Sequence, residues 1–172
     1  MSTAIHRMVE AARMGTLPGS IARLDSGWAV FGRQQFLRGY ALLLPDPVVP
    51  DLNALAAEAR ASFLSDMTRL GDALLQATTA VRINYAIFGN QEPALHAHVI
   101  PRYADEPPAL RTSHPWQYDW GAAPDYDPSA MEELLRAYAP VTMARLVKDD
   151  YDFHGCPMKA DDWVLLPFPS AN

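Results

Sequence analysis

The clearest pattern of apolar and polar positions lies between residues 51 and 78 and is most regular after Ala61. Apolar side chains recur there at steps of four and three residues, namely Phe63, Met67, Leu70 and Leu74. The positions between them are mainly polar, which predicts an amphipathic helix with one face packed on a flat surface. Gly71 interrupts the pattern, and a close approach to a sheet would explain its missing side chain.

Shorter apolar runs on both sides of this helix predict strands. Residues 28–32 and 39–45 precede the helix, and residues 81–89 and 92–103 follow it, with the clearest alternation in 81–89. Three prolines between positions 45 and 51 exclude a helix or a central strand there. The order of elements predicts an α+β fold, with an antiparallel sheet of about five strands and the long helix packed on one face.

The pattern changes after Tyr103. Residues 104–127 are rich in proline, aspartate and aromatic side chains and have no clear period. Asp127 followed by proline is typical of a helix start, so we expect a helix to about Tyr138. We expect another turn or two of helix in residues 143–148.

The length of the chain suits a single hydrophobic core, so we interpret residues 1–172 as one domain. In this interpretation residues 20–103 form the core, and residues 104–172 form a mostly irregular or helical C-terminal extension. Apolar positions at helical spacing in residues 4–14 add a short N-terminal helix.

Charge and composition narrow the classes of function. The chain carries 14 Lys and Arg against 20 Asp and Glu, for a formal net charge of −6, which argues against a nucleic acid polymer as partner. A small phosphorylated ligand stays compatible, because a pocket needs only local positive potential. No apolar run approaches the roughly 20 residues of a membrane span, and the N-terminus lacks the apolar region of a secretory signal. A single cysteine, Cys156, excludes an internal disulfide and a Cys-rich zinc site. We therefore expect a cytoplasmic protein with no membrane partner.

Two histidines in the last predicted strand carry the candidate chemistry. His96 and His98 are two positions apart, and residues at this spacing in a strand point to the same face. They could be structural, they could bind a metal, or they could act on a phosphoryl group. A neutral imidazole is a good nucleophile, and a second ring on the same face can donate a hydrogen bond to phosphate or protonate a leaving oxygen.

The metal interpretation lacks a third ligand. The acidic residues that follow His98 are Asp105 and Glu106, seven and eight positions later and beyond Pro101. A metal site with an HxH pair needs a further ligand close in the fold. We therefore predict no metal site and no cofactor, and keep a metal-binding HxH protein only as a second alternative.

The segment LHAHVIPRY resembles the active-site strand of the histidine triad (HIT) family, whose pattern is His-φ-His-φ-His-φ-φ, often followed by Pro-Arg. RINYAIFGNQEP resembles the approach to that strand in many bacterial members, and FLRGYALLLPDPVVPDL resembles the family's Gly-His strand and the loop after it. The resemblance covers residues 28–103 and is nearest to a bacterial branch like the diadenosine polyphosphate hydrolases. It places His98 at the third histidine and His96 at the second, with Ala94 in place of the first and Tyr40 in place of the Gly-His histidine.

The resemblance implies a nucleotide hydrolase or nucleotidyl transferase. Its substrate would be a dinucleoside polyphosphate or a nucleoside phosphoramidate, attacked at the α-phosphate through a nucleotidyl-histidine intermediate. Because Ala94 and Tyr40 replace supporting histidines, we expect a reduced rate or a compensating contact. The alternative is a HIT-like protein that binds a nucleotide with little or no catalysis.

The resemblance also implies roles for individual residues, and it implies a homodimer. His96 and His98 would be catalytic, with His96 as the nucleophile. The candidates for phosphate binding are Asn84, Asn90, Gln91 and Arg102, and Arg102 could instead form a salt bridge at the end of the strand. The candidates for nucleoside binding are Trp28, Phe31 and Phe36, although an aromatic side chain in a strand is more often part of a core. The aromatic residues between Trp116 and Trp120 could close over a nucleotide or pack in a dimer.

Overall fold

The computed structural model describes residues 2–129 and, beyond them, residues 143–146, 150–153, 156–159 and 163–166. Two helices and five strands make up its main part, in the order α1 (Ala4–Arg13), β1 (Ser20–Arg23), β2 (Gly27–Phe31), β3 (Ala41–Pro45), α2 (Ala57–Ala77), β4 (Arg82–Ala86) and β5 (Ala97–Arg102). A one-turn 3-10 helix, Leu52–Ala54, precedes α2.

The five strands form one antiparallel sheet in the order β1-β2-β3-β5-β4. The predicted α+β architecture, with its antiparallel sheet and long helix, is confirmed. Strand β5 lies between β3 and β4, so its residues are paired on both sides, with His98 opposite Leu42 and Ala86. The histidine strand is therefore an interior strand of the sheet.

Alternation along the strands separates the two faces of the sheet. On one face Ala97 and Val99 pack with Phe63, Leu70 and the other buried residues of α2 and the neighbouring strands. Residues of the opposite parity, including His98 and Arg102, point to the other face. There α1 packs against the sheet, in a cluster formed by Ile5, Val9, Val30, Leu44 and Ala94.

Helix α2 approaches the sheet closely at Gly71. A Cβ at this position would lie 2.0 Å from the hydroxyl oxygen of Tyr85 in β4. Any side chain here would require Tyr85 to move, which is the physical reason for a glycine inside an otherwise good helical sequence.

Some predicted boundaries differ from the structure. Helix α2 begins at Ala57 rather than at 51, because Asp51 caps the short 3-10 helix by accepting from the backbone N–H groups of Asn53 and Ala54. Strand β5 begins at Ala97, so His96 lies just before it. Strand β1 has only four residues and no clear alternation, so the apolar pattern does not predict it.

The first part of the C-terminal extension folds back over the sheet. It contains a short helix α3 (Pro108–Arg111) and a 3-10 turn (Pro115–Gln117). Further along, the N–H of Gln35 donates to the carbonyl of Pro124, and the N–H of Tyr126 donates to the carbonyl of Arg33. These bonds fix the extension to the loop that follows β2.

Short strands occur further along the chain. Strand β6 (Met143–Leu146) pairs with β9 (Trp163–Leu166), and β7 (Tyr151–Phe153) pairs with β8 (Cys156–Met158). The prediction of helix in residues 143–148 is wrong for 143–146, because an apolar partner segment pairs with them and such pairing overrides weak helix propensity.

The predicted helix to Tyr138 lies almost entirely outside the described residues. Its start is described: the side chain of Asp127 accepts from the N–H and hydroxyl of Ser129. In the described part of the chain, no helix is long and apolar enough to cross a membrane.

A buried carboxylate joins α2 to the turn between β1 and β2. Asp66 is 1% exposed, and its Oδ2 accepts from the N–H and hydroxyl of Ser26 at 2.8 and 2.7 Å. Arg69 donates to the other oxygen at 2.8 Å. We expect Asp66→Ala to lower the free energy of unfolding by about 2 kcal/mol, because the Ser26 donors lose their acceptor. Urea unfolding measures this loss.

Asp72→Ala, on an exposed position of the same helix, serves as the control and should change stability by no more than about 0.5 kcal/mol. Equal effects of the two substitutions would contradict the role given to Asp66.

Candidate active site

The two histidine rings lie side by side at the start of β5. Their ring centroids are 4.9 Å apart, with the planes at 71°. His96 is 7% exposed, and His98 is partly buried. The i, i+2 spacing thus places the two imidazoles on one side of the sheet, in direct contact with each other.

A backbone carbonyl sets the tautomer of His96. Its Nδ1 lies 2.8 Å from the carbonyl oxygen of Ala94. A carbonyl can only accept, so Nδ1 carries the proton, and Nε2 of the neutral ring keeps its lone pair. This contact uses the main chain of residue 94 and does not depend on its side chain. The Ala94 side chain is 2% exposed and packs with Ile5 and Val9 of α1.

A tyrosine hydroxyl contacts the other ring. The Tyr40 oxygen lies 2.6 Å from Nδ1 of His98, and the two rings are stacked with an interplanar angle of 10°. Burial raises the pKa of Tyr40 well above its usual value, so the hydroxyl keeps its proton. Burial, followed by the charge of His96, lowers the pKa of His98 to about 4. A neutral His98 then accepts at Nδ1 and carries its proton at Nε2.

The loop before β3 holds Tyr40 in place. The buried side chain of Gln35 donates to the carbonyls of Gly32 and Tyr40 at 2.6 and 2.9 Å and accepts from the N–H of Gly39 at 2.9 Å. Gly39 has φ of 83°, a conformation that favours glycine. A Cβ at Gly32 would lie 2.2 Å from the Tyr40 ring. The loop sequence is therefore matched to a large ring at position 40.

Both histidines line a cavity of about 540 Å³. The other lining residues are Phe88, Asn90, Gln91, Glu92, His114, Trp116 and Trp120. Two of the four predicted phosphate-binding residues, Asn90 and Gln91, are thus brought to the histidines. The other two, Asn84 and Arg102, line a separate cavity of about 710 Å³ beside β4, which shares only His114 and Trp116 with the first.

A comparison with known protein families agrees with this arrangement of strands and histidines. Residues 22–105 match the model of the HIT domain. These residues have a HIT-like fold. The histidine pair and the strands that hold it lie within the matched range.

Solved structures with the same fold include three histidine triad proteins. The chain is similar to one from Bradyrhizobium japonicum, at 22% identity over 69% of this chain and 86% of that one, with a TM-score of 0.60. It is similar to one from Marinobacter aquaeolei VT8 at 16% identity, over 81% and 96% of the two chains, with a TM-score of 0.63. A hypothetical histidine triad nucleotide-binding protein from Sulfolobus tokodaii matches at 12% identity, over 77% and 88%, with a TM-score of 0.59.

Arg102 connects the region that matches the HIT model to the extension. Its guanidinium is paired with Glu106 at 2.7 Å and also donates to the carbonyls of Leu110, Arg111 and Ser113. The residue is 8% exposed, and its ion pair raises its pKa further. Since nearly all its donors are used and it lies outside the histidine cavity, the structure does not support the predicted phosphate-binding role of Arg102.

The three aromatic residues predicted to bind the nucleoside also lie outside this cavity. Trp28 is on the α1 side of the sheet and donates from Nε1 to Asp46 at 3.1 Å. Phe31 is 4% exposed and belongs to the core on the α2 face. Phe36 packs on Trp120, with ring centroids 4.0 Å apart. Aromatic side chains in or near strands are part of the packing here, as they commonly are.

Three other aromatic residues line the cavity instead. Trp116 and Trp120 come from the extension, beyond the residues that match the HIT model, and Phe88 follows β4. Phe88 was detectable from the sequence, because alternation puts it on the same side as Asn84, among otherwise small or polar residues. The contribution of the two tryptophans depends on the path of the extension, which no periodic pattern predicts.

Among the described residues, no group of three or more histidine, cysteine, aspartate or glutamate side chains is placed to hold a metal ion. His96 and His98 therefore lack a third protein ligand within that part of the chain. The metal-binding alternative gains no support from the geometry.

Replacing Tyr40 by phenylalanine tests the tautomer of His98. The substitution removes the hydroxyl but keeps the ring that stacks on His98. We expect neutral His98 to lose its preference for a proton on Nε2, while His96 keeps its proton on Nδ1. Long-range ¹H–¹⁵N correlation spectra of the imidazole nitrogens, recorded above the usual imidazole pKa, distinguish the two tautomers.

Tyr103→Phe is the matched control, because that hydroxyl donates to the carbonyl of Arg38 and touches neither histidine. It should leave both sets of nitrogen shifts unchanged. An unaltered His98 spectrum in the Tyr40 variant would show that the hydroxyl does not select the tautomer.

The lowered pKa of His98 predicts acid sensitivity of the fold. The folded-state pKa is about 4, against an ordinary value of 6.5, so the unfolded chain binds the proton first as the pH falls. The stability contributed by neutral His98 is therefore complete above pH 6.5 and is lost between pH 6.5 and 4. The full pKa shift would correspond to a loss of about 1.4 kcal/mol per pH unit. The actual loss is smaller than this, because the ring is partly solvated.

Urea unfolding at pH 6.5 and at about pH 4.5 measures this loss. His98→Gln should lose about 1 to 2 kcal/mol less than the wild type over the interval. His114→Gln, at an exposed histidine, should behave like the wild type. If His98→Gln and the wild type lose the same amount, the pKa of His98 is not depressed.

Proposed function

We propose that this protein is a nucleotide hydrolase or nucleotidyl transferase in which His96 attacks the α-phosphorus of its substrate. The observation that carries the proposal is the pair of opposite tautomers at one cavity. His96 presents a lone pair at Nε2, because its Nδ1–H is held by the Ala94 carbonyl. His98 presents an N–H at Nε2, because Tyr40 occupies its Nδ1.

In the first step, Nε2 of His96 forms a bond to the α-phosphorus, and the bond from phosphorus to the leaving oxygen or nitrogen breaks. The leaving atom takes the electron pair, and a leaving nitrogen also takes up a proton from solvent. The imidazole becomes positively charged, and the Ala94 carbonyl stabilises this charge through Nδ1–H. In the second step, water or another acceptor attacks the nucleotidyl-histidine and gives up a proton to solvent, and His96 leaves with the electron pair of the broken bond as the neutral ring.

His98 acts in this scheme as a hydrogen-bond donor to a phosphate oxygen. Its pKa of about 4 keeps it neutral near pH 7. It therefore donates a hydrogen bond from a fixed N–H group and does not act as a general acid. Asn90 and Gln91 line the same cavity and supply amide donors for phosphate. The two replaced histidines are compensated by a main-chain oxygen and a phenol.

The substrate classes follow from the HIT domain. We propose a dinucleoside polyphosphate or a nucleoside phosphoramidate, cleaved by a cytoplasmic homodimer. Support for a nucleotide comes from the name of the similar Sulfolobus tokodaii protein, which describes it as nucleotide-binding. The competing proposal, a nucleotide-binding protein with little catalysis, rests on Ala94 and Tyr40.

Turnover of a substrate panel by variants tests the proposal. We expect the wild type to cleave at least one dinucleoside polyphosphate or nucleoside phosphoramidate and His96→Ala to show only background cleavage. His98→Asn should reduce kcat by about one hundred-fold or more, because a donor to the developing charge is lost. Acid-quenched protein should carry a nucleotidyl adduct that mass spectrometry locates on His96.

His6→Ala, on α1 and outside the cavity, is the control and should retain wild-type turnover. Normal turnover by His96→Ala would remove His96 from the mechanism. Tight nucleotide binding with no turnover across the panel would instead favour the binding protein.

A further inference from the structure

The second cavity, of about 710 Å³, differs in chemical character from the histidine cavity. Its walls come from β4, from the end of β5 and from residues 103–106 and 111–116, and we call it the β4 cavity. It shares only His114 and Trp116 with the histidine cavity. Most of its lining therefore has no part in the site described above.

The charged residues that line the β4 cavity are mainly cationic. They are Arg82, Arg102 and Arg111, together with a single carboxylate, that of Glu106. Arg102 and Glu106 neutralise each other in their ion pair, so the charges of Arg82 and Arg111 are not balanced within the lining. The chain as a whole has a formal net charge of −6. Two such arginines at one concave surface create a local positive potential in an otherwise acidic protein.

Several polar side chains of this cavity have no partner in the described part of the chain. No hydrogen bond or ion pair there involves the guanidinium of Arg82, the side-chain amide of Asn84 or the hydroxyl of Thr112. Arg82 and Asn84 are two positions apart in β4, so both point to the same face of the sheet. Asn84 is also half-buried, where polar groups are normally paired. These side chains are available as hydrogen-bond donors inside the cavity.

Arg102 fixes the segment that carries Arg111. Its guanidinium donates to the carbonyls of Leu110, Arg111 and Ser113 at 3.0, 3.0 and 3.2 Å. Nη1 of Arg111 in turn donates to the carbonyl of Ala104 at 3.0 Å, which orients its guanidinium beside the cavity. The backbone that carries the cationic groups is thus held in place by the protein itself, which lowers the entropic cost of binding a ligand.

Phosphate groups suit this set of donors. A guanidinium binds an anionic oxygen pair through two parallel, charge-assisted hydrogen bonds, and an amide and a hydroxyl add neutral donors. A chain of two or three phosphates offers oxygens to both Arg82 and Arg111 at once. A metal cation would be repelled by both arginines, and the one carboxylate in the lining is already paired with Arg102.

We propose that the β4 cavity is a second anion site, in which Arg82, Asn84, Arg111 and Thr112 bind a di- or triphosphate group. Arg102 is a positioning residue for this site, because its hydrogen bonds hold the backbone of Arg111. The site does not require His96 to act as a nucleophile, so it stands apart from the proposed function. The phosphate chain can belong to a free polyphosphate or to a nucleotide that extends from the histidine cavity past the two residues that both cavities share.

Calorimetric titration with pyrophosphate and tripolyphosphate at constant ionic strength tests the site. We expect saturable binding with a Kd below about 1 mM, and binding of inorganic phosphate at least about ten-fold weaker. Arg82→Gln should weaken pyrophosphate binding by about ten-fold or more, because a charged donor is lost. Arg82→Lys should recover only part of this loss, because an ammonium group cannot form the paired bonds. Pyrophosphate should also shift the side-chain amide signals of Asn84 in ¹H–¹⁵N spectra.

Arg60→Gln is the matched control. Arg60 lies on α2 and lines neither cavity, so this substitution removes the same charge at a different place. It should retain the wild-type Kd, and an equal loss in both variants would mean that only the net charge of the protein matters. Because Arg82 has no polar partner among the described residues, Arg82→Gln should stay folded, which circular dichroism and thermal unfolding establish.

Three further results would overturn the site. They are the absence of saturable binding by the wild type, unchanged binding by folded Arg82→Gln, and a loss in His98→Asn without one in Arg82→Gln, which would place the anion at the histidines. Tighter binding of citrate than of tripolyphosphate would overturn the assignment to phosphate.

Competition with ATP identifies the source of the phosphate chain. If ATP displaces pyrophosphate and Arg82→Gln weakens the binding of both, the chain belongs to a nucleotide. If ATP and pyrophosphate bind together and Arg82→Gln weakens pyrophosphate alone, the ligand is a free polyphosphate. Either result supports the β4 cavity as an anion site, whether or not the protein cleaves a nucleotide at His96.

Discussion

The candidate site depends on β5 being hydrogen-bonded on both sides. Its pairing with β3 and β4 fixes which residues face α2 and which face the opposite side. A slip of one residue would turn Val99 out of the core and His98 into it. The free energy of burying Ala97 and Val99 beneath α2 therefore also fixes the position of the histidines. The hydrophobic core and the chemistry are set by the same register.

The geometry accommodates Ala94 and Tyr40, the two residues predicted to stand in place of family histidines. The contact that orients His96 comes from the main chain at residue 94, so an alanine there preserves it. The small side chain also leaves room for α1, which packs against it. Tyr40 supplies a hydroxyl where the family pattern has an imidazole, and Gly32 makes space for the larger ring. Both ring tautomers are thus set by contacts that need no further histidine.

The sequence predicted those parts of the structure that follow from a regular period. The apolar spacing around Leu70 identified α2, and the i, i+2 rule brought His96 next to His98. Strand β1 and the strand at 143–146 were not predicted, because short segments take their structure from the partner they pair with. The sequence left the tryptophans open between a nucleotide contact and a dimer contact, and left Arg102 open between phosphate binding and a salt bridge, for a related reason. They depend on the path of an irregular segment, which is decided by tertiary contacts.

The ion pair between Arg102 and Glu106 crosses the C-terminal boundary of the region that matches the HIT model. The match to the HIT domain stops at residue 105, yet Arg102 finds its counter-ion and its carbonyl partners just beyond that point. Dividing the chain there would remove the counter-ion and the carbonyl acceptors of Arg102 together. Grafting this strand onto another scaffold would therefore have to carry residues 106–113 along with it.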